Sequence, residues 1–283
     1  MMYALLSAII FCLLYYGVIL WLYYQYEKHK QKSRVFPFTS KFVQHEFFRK
    51  LLCSENGNDR SLRALFITAH PDDECMFFAP AIIQLRKLGF KVYLLCLSTG
   101  NYNSEGETRK KELQKSCSVL GIPSDCLTII DHSGLQDDPV AEWETELISS
   151  FILTHVKNNS IQLVLTFDAG GVSRHANHIA LFKSLSFLSA SRQLPEGCCA
   201  AVLETVNIFR KYLSVLDAPV SWLRTPDLLF ILTRKEYEEA KIAMRCHRSQ
   251  MLWFRYMYVL FSRYMLINTY KCLSEEQKIR KQE

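Results

Sequence analysis

Several things are scarce in this 283-residue sequence, and each scarcity excludes something. Gly (10) and Pro (8) are few, so a collagen-like or low-complexity chain and a Gly/Pro-rich linker are excluded. The ten Cys form no CxxC pair, their spacing is irregular, and Cys198 and Cys199 are adjacent. A disulfide framework is therefore not expected, and reduced thiols on a cytosol-facing protein are. Charge is absent from residues 1–26, and acids are absent from 244–271, which hold five Lys/Arg. Residues 27–50 hold seven bases against two acids, whereas the block 51–243 carries 19 bases and 23 acids. The overall charge of +6 thus flanks the central block. A DNA-binding domain would carry its basic face inside the folded module, so no nucleic-acid partner is expected. Basic flanks beside apolar segments suit an anionic membrane surface.

What is present begins with an uncharged apolar run, MMYALLSAIIFCLLYYGVILWLYY, over residues 1–24. About 20 apolar residues suffice to span a bilayer core. Trp21, Tyr23 and Tyr24 stand at its end, where an interfacial aromatic belt belongs. The basic start, shorter core and small-residue cleavage site of a signal peptide are missing. Lys28, Lys30, Lys32 and Arg34 follow directly, which orients the rest of the chain toward the cytoplasm. The sequence predicts a single-pass anchor over 1–26, a basic tether over 27–60, a catalytic domain over 61–270 and a polar tail over 271–283. Within the tether, Phe42 to Leu52 reads as a short amphipathic stretch.

From residue 62 onward, apolar β-rich runs alternate with helical segments. Strands are expected at 62–69, 91–98, 126–131, 161–168, 199–209 and 228–233. Helices are expected at 76–89, 106–121, 140–157, 175–190 and 235–248. This alternation predicts an α/β fold, a mostly parallel, Rossmann-like three-layer sheet with helices on both faces. Ligands then bind past the carboxyl ends of the strands. Residues 251–267, MLWFRYMYVLFSRYMLI, are aromatic-rich but broken by Arg255 and Arg263. They suit an interfacial helix better than a second span, with a packed core helix as the other option.

Two strand ends carry the chemistry. The first runs into His70-Pro71-Asp72-Asp73-Glu74, and the fourth into Asp168-Ala169-Gly170-Gly171 and then His175-Ala176-Asn177-His178. His and Asp together make an N/O ligand set for Zn²⁺ or a similar divalent ion. His175 and His178 share a helix face. Asp72 and Asp73 are adjacent and diverge, so one can hold metal while the other faces substrate.

On AHPDDECMFFAP, CLSTGNYNSEGETRKKEL, LVLTFDAGGVSRHANHIAL and MRCHRSQMLWFRY, the chain resembles the LmbE-like metal-dependent de-N-acetylases over about residues 62–268. The similarity is to the eukaryotic branch acting on a lipid-linked sugar, N-acetylglucosaminyl-phosphatidylinositol, at the endoplasmic reticulum membrane. The resemblance implies His70, Asp73 and His178 as metal ligands and Asp72 as general base. It implies His175 as the group meeting the oxyanion or leaving group; on physical grounds the metal and a protonated His175 would supply the oxyanion's charge partner. It places Arg109 at the substrate, and His247, in the Cys-His-Arg-Ser-Gln segment, as a site-lining residue. The bland reading of Arg109 is a solvated helix face with Glu105 and Glu112. Some bacterial relatives carry a tyrosine where this chain has Ser173. The cofactor implied is a divalent metal, Zn²⁺ first. Hydrolysis of a soluble amino-sugar conjugate and a non-catalytic membrane scaffold are the competing functions.

Overall fold

The computed structural model describes residues 14–24, 62–138 and 141–273. The tether, the tail beyond Leu273 and the first half of the expected anchor lie outside the described residues. Residues 14–24 (α1) are helical. Ile19 of this helix is buried, and the Tyr23 hydroxyl donates to the Leu232 carbonyl at 2.6 Å. Among the described residues, no helix is long and apolar enough to cross a membrane.

The chain then builds one seven-stranded sheet. Its strands are β1 (Arg63–Thr68), β2 (Lys91–Cys96), β3 (Leu127–Ile129), β4 (Leu163–Phe167), β5 (Cys199–Leu203), β6 (Leu228–Ile231) and β7 (Ile267–Cys272). The order across the sheet is β3-β2-β1-β4-β5-β7-β6. β1 to β5 pair in parallel, and β7 runs antiparallel between β5 and β6. Both faces are covered, which is why β1, β2 and β4 are near-continuous buried apolar runs.

Helices α2 (Asp73–Met76), α3 (Ala79–Lys87), α4 (Gly106–Val119) and α10 (Arg234–Cys246) pack together on one side. On the other, α5 (Thr145–Asn158) packs on α7 (Ala176–Ala190), with the short α6 (Gly171–Arg174) leading into α7. The opposite faces follow from right-handed crossovers. β1 to β3 step one way across the sheet, and β4 and β5 step the other. The order therefore reverses between β1 and β4, the crevice where open α/β sheets place their ligands.

Two corrections concern the C-terminal part. The segment 251–267 is neither one interfacial helix nor one core helix. It divides into α11 (Trp253–Phe261) on the surface, a buried 3-10 turn at Arg263–Met265 and the start of β7. Arg263 causes the break: it is fully buried, with its Nε 2.9 Å from Asp217 Oδ2, and burying that pair takes precedence over continuing the helix. β7 also carries the folded domain to Cys272, past the expected boundary at 270. The remaining short helices are α8 (Ile208–Lys211) and α9 (Ala218–Leu223). All eight described cysteines are free thiols, as expected.

Candidate active site

The turn after β1 is made by Asp73. Its Oδ2 accepts the backbone N–H groups of Ala69 and His70, both at 2.9 Å, which folds the His-Pro-Asp-Asp loop back on itself. Its Oδ1 faces His178 Nε2 at 3.2 Å. Burial opposes its ionisation; against it, a proton on His178 or His70 and the backbone N–H of His70 pull the Asp73 carboxyl well below the usual carboxylate range. Asp72 pays for this turn with φ +116°, a backbone conformation that costs about 1–3 kcal/mol and concentrates at functional sites. The side chain of Asp72 is thereby aimed at the cavity. Burial pushes its pKa up, against the pull of Arg255 (Nη2–Oδ2 3.3 Å) and Arg109 (3.7 Å).

The loop after β4 is fixed by Asp168, which accepts from the N–H groups of Gly170 (2.9 Å) and Thr205 (2.6 Å). That loop delivers His175 and His178. The ligand-capable atoms of His70, His175 and His178 all lie within 4.8 Å of one another.

The backbone gives the last two imidazoles opposite tautomers. His178 Nδ1 lies 3.1 Å from the Gly171 carbonyl, so Nδ1 carries the proton and donates it there. Its Nε2, with its lone pair, is buried without a well-aligned hydrogen bond. That orphaned nitrogen beside Asp73 is what a metal ligand with an oriented partner looks like. His175 caps α7: its Nδ1 accepts from the Asn177 N–H at 3.3 Å, which leaves the proton on Nε2. It is therefore set up as a hydrogen-bond donor. Burial, with His178 and His70 close by, lowers its pKa to about 4. That direction favours the neutral imidazole over the protonated form expected from sequence.

The donor set of His70, Asp73 and His178, surrounded by Asp72 and Asp137, fits a divalent cation in chemistry and in charge. These residues line a cavity of about 390 Å³, together with Met76, Phe77, Arg109, Ser173 and His175.

Sequence reasoning missed three further residues. Asp137, on the loop after β3, places Oδ1 3.1 Å from His70 Nε2. Asn177, fully buried inside HxxH, places Nδ2 3.0 Å from the same nitrogen. Arg255 reaches Asp72 from α11. Only Arg255 left a signal, as a charge interrupting an aromatic run.

Two expected substrate residues sit differently from expectation. Arg109 lines the cavity, but its guanidinium donates to the carbonyls of Pro71 (2.6 Å) and Gly100 (3.1 Å) and to Asp137 (3.3 Å). It clamps the β1 loop, the β2 loop and the β3 loop together, and it is buried, so neither a solvated helix face nor a free substrate fork describes it. Gly100, at φ +70°, makes room, since a Cβ there would lie 2.6 Å from that guanidinium. His247 does not line the cavity. It is fully buried behind the loop, with Nε2 2.7 Å from Glu74 Oε1.

Comparison with known proteins agrees with this geometry. A family model described as "PIG-L: GlcNAc-PI de-N-acetylase" matches residues 65–186. The N-acetylglucosaminyl-phosphatidylinositol de-N-acetylase of Bos taurus is 52% identical over 207 residues, covering 73% of this chain and 82% of that protein. A probable enzyme of the same name from Schizosaccharomyces pombe is 37% identical, covering 73% and 85%. Among solved structures, N,N'-diacetylchitobiose deacetylase from Pyrococcus horikoshii shares the fold at TM-score 0.55 and 17% identity, covering 81% of this chain and 92% of that one. GalB, a 4-carboxy-2-hydroxymuconate hydratase, also shares the fold at TM-score 0.52 and 12% identity, covering 75% and 96%. The fold thus hosts more than one chemistry, and function has to be argued from the site. With two loops that gather His70, Asp72, Asp73, His175 and His178 at the switch point of the sheet, and with relatives this similar over most of its length, the chain belongs to the GlcNAc-PI de-N-acetylase family of LmbE-like deacetylases.

Proposed function

We propose that this chain hydrolyses the acetamide of N-acetylglucosaminyl-phosphatidylinositol, giving the free amine and acetate, the second step of GPI-anchor synthesis. The observation that carries the reading is the opposite tautomers of His178 and His175 beside a strained Asp72. One imidazole offers a lone pair, the other a proton, and a carboxylate faces the space between. A divalent ion held by His70, Asp73 and His178, with Zn²⁺ the first candidate, would supply a Lewis acid for the acetyl carbonyl and an activated water. Asp72, with its pKa raised by burial, takes the proton from the attacking water and can return it to the departing amine. Neutral His175 donates from Nε2 to the tetrahedral oxyanion, a contact typically worth about 3–4 kcal/mol. Arg255 and Arg109 keep Asp72 in place.

The lipid-linked substrate gives the N-terminal apolar run a purpose. In this reading residues 1–26 anchor the chain in the endoplasmic reticulum membrane by one span, with the catalytic domain facing the cytoplasm.

The experiment is acetate release by the purified full chain, from N-acetylglucosaminyl-phosphatidylinositol and from soluble N-acetylglucosamine conjugates in parallel. Release from the lipid-linked substrate, lost in Asp72→Asn, supports the proposal. Release from the soluble conjugates alone would replace it with a soluble amino-sugar substrate. No release from either, by folded and metal-loaded protein, would point to a non-catalytic scaffold.

A further inference from the structure

Apolar side chains gather on one outer face beside the cavity mouth. In α11, Trp253, Tyr256, Met257 and Leu260 recur at one-turn spacing and all stand in solvent, Trp253 being 79% exposed. In α8, Phe209 is 81% and Ile208 62% exposed. Single exposed hydrophobes are ordinary, but six on two adjoining helices are not. From their other sides the same two helices send Lys211, Arg255 and Tyr258 to line the catalytic cavity. Buried Asp217 joins the helices: its carboxylate takes Arg210 of α8 at 2.6 Å and Arg263, just past α11, at 2.9 Å. Both helices are thus tied to the site, through this buried carboxylate and through the cavity residues they supply.

Charge and placement identify what covers it. The segment that contains α11, residues 244–271, holds five Lys/Arg and no acid; Arg263, Arg255 and Lys271 face Asp217, Asp72 and Asp227, and Arg245 and Arg248 stand exposed. Lys211, at the cavity edge, has no acidic partner among the described residues. An apolar crest with aromatic side chains, edged by the Lys211 ammonium, matches the headgroup zone of a phospholipid bilayer. The helix α1 ends on the same side. Tyr23 bonds the Leu232 carbonyl just past β6, whose carboxyl end lies at the same edge of the sheet as those of β1 and β4. Leu14, Val18 and Trp21 of that helix are exposed and apolar.

We propose that the face formed by α8 and α11 is a bilayer-docking surface that seats the cavity mouth on the lipid headgroups. The purpose given to it rests on the lipid-linked substrate proposed above. The acyl chains stay in the bilayer, the amino sugar rises into the cavity, and Lys211 and Arg255 meet the phosphodiester end.

The test uses the full chain in phosphatidylcholine–phosphatidylserine vesicles. Tryptophan fluorescence is quenched either by lipids carrying a nitroxide near the headgroup or by aqueous acrylamide, in the wild type and in Trp253→Phe. The difference between the two proteins isolates Trp253. Docking predicts that Trp253 is quenched by the nitroxide lipid and shielded from acrylamide. Free access of acrylamide without nitroxide quenching would overturn it. Shielding from both quenchers would mean that a second chain covers the face, and would overturn it equally. This readout needs no turnover, so it fails or succeeds apart from the substrate assignment. A second variant, Phe209→Glu with Trp253→Glu, should lower acetate release from vesicle-embedded substrate by about tenfold or more, equivalent to ~1.4 kcal/mol. Its metal content and its release from a short-chain, water-soluble analogue should not change. Undiminished release from vesicles would overturn the proposal.

Discussion

Asp72 and Asp73 show how far one residue's place in the chain decides its chemistry. Both are buried acids at the end of β1, yet the imidazoles and backbone N–H groups around Asp73 favour its ionised form, while burial pushes Asp72 the other way. Asp72→Asn should retain the metal and lose about 10²–10⁴-fold in kcat, as expected for a general base. Loss of metal alongside activity, by elemental analysis, would make Asp72 a ligand. The two histidines separate in the same way. His178→Ala should lose metal, whereas His175→Ala should keep it and lose about 10²–10³-fold in kcat. Equal metal loss in both would contradict the tautomer argument. Arg109→Lys keeps the charge but cannot hold two carbonyls and Asp137 at once, so kcat should fall with metal content unchanged. Its role was not legible from sequence because the clamp joins three loops spread from Pro71 through Gly100 to Asp137.

At the scale of elements, the parallel strands and the edge strand β6 were legible, and β7, inserted antiparallel between β5 and β6, was not. β1, β2, β4, β5 and β6 announce themselves as buried apolar runs, and β3 as a short, half-buried one. β7, INTYKC, carries Asn268, Thr269 and Lys271, and no local pattern separates it from a loop. It is a strand because Asn268 is buried and bonded: its Nδ2 donates to Phe77 O at 2.9 Å and its Oδ1 accepts from the Ala81 N–H at 3.2 Å. Those partners lie nearly two hundred residues away. His247 belongs to the same kind of packing. It follows α10 and pairs with Glu74 on α2, behind the catalytic loop, where Ser116 of α4 also bonds Glu74. Burial opposes both charges, yet Glu74 raises the His247 pKa and His247 lowers that of Glu74. A raised histidine contributes its stability fully below the unfolded value of about 6.5, and loses it as pH rises through the folded one. A depressed glutamate contributes above about 4.3 and loses it as pH falls. His247→Asn should therefore lower the melting temperature most between those limits, by an amount matching about 3–5 kcal/mol for a broken buried pair. The gap to wild type should narrow as pH rises further. A gap independent of pH would show a packing defect without an ion pair.

Across the whole molecule, the charge layout read from sequence has a structural counterpart. The central block of net negative charge forms β1 to β6 and the helices between them, and the basic C-terminal flank carries the exposed aromatic helix α11 and most of β7. The orientation proposed for the chain makes a simple prediction. In sealed endoplasmic reticulum vesicles, a C-terminal epitope should be open to added protease without detergent. Protection of the epitope until detergent is added would reverse the orientation.

The most direct measurement of the central claim is metal content and acetate release on the same preparation of full-length chain, with N-acetylglucosaminyl-phosphatidylinositol as substrate. It is made before chelation, after chelation, and after Zn²⁺ is restored. The account predicts about one metal per chain, release abolished by chelator and release regained with metal, all three absent in His178→Ala. Undiminished release from chelated, metal-free protein would contradict it.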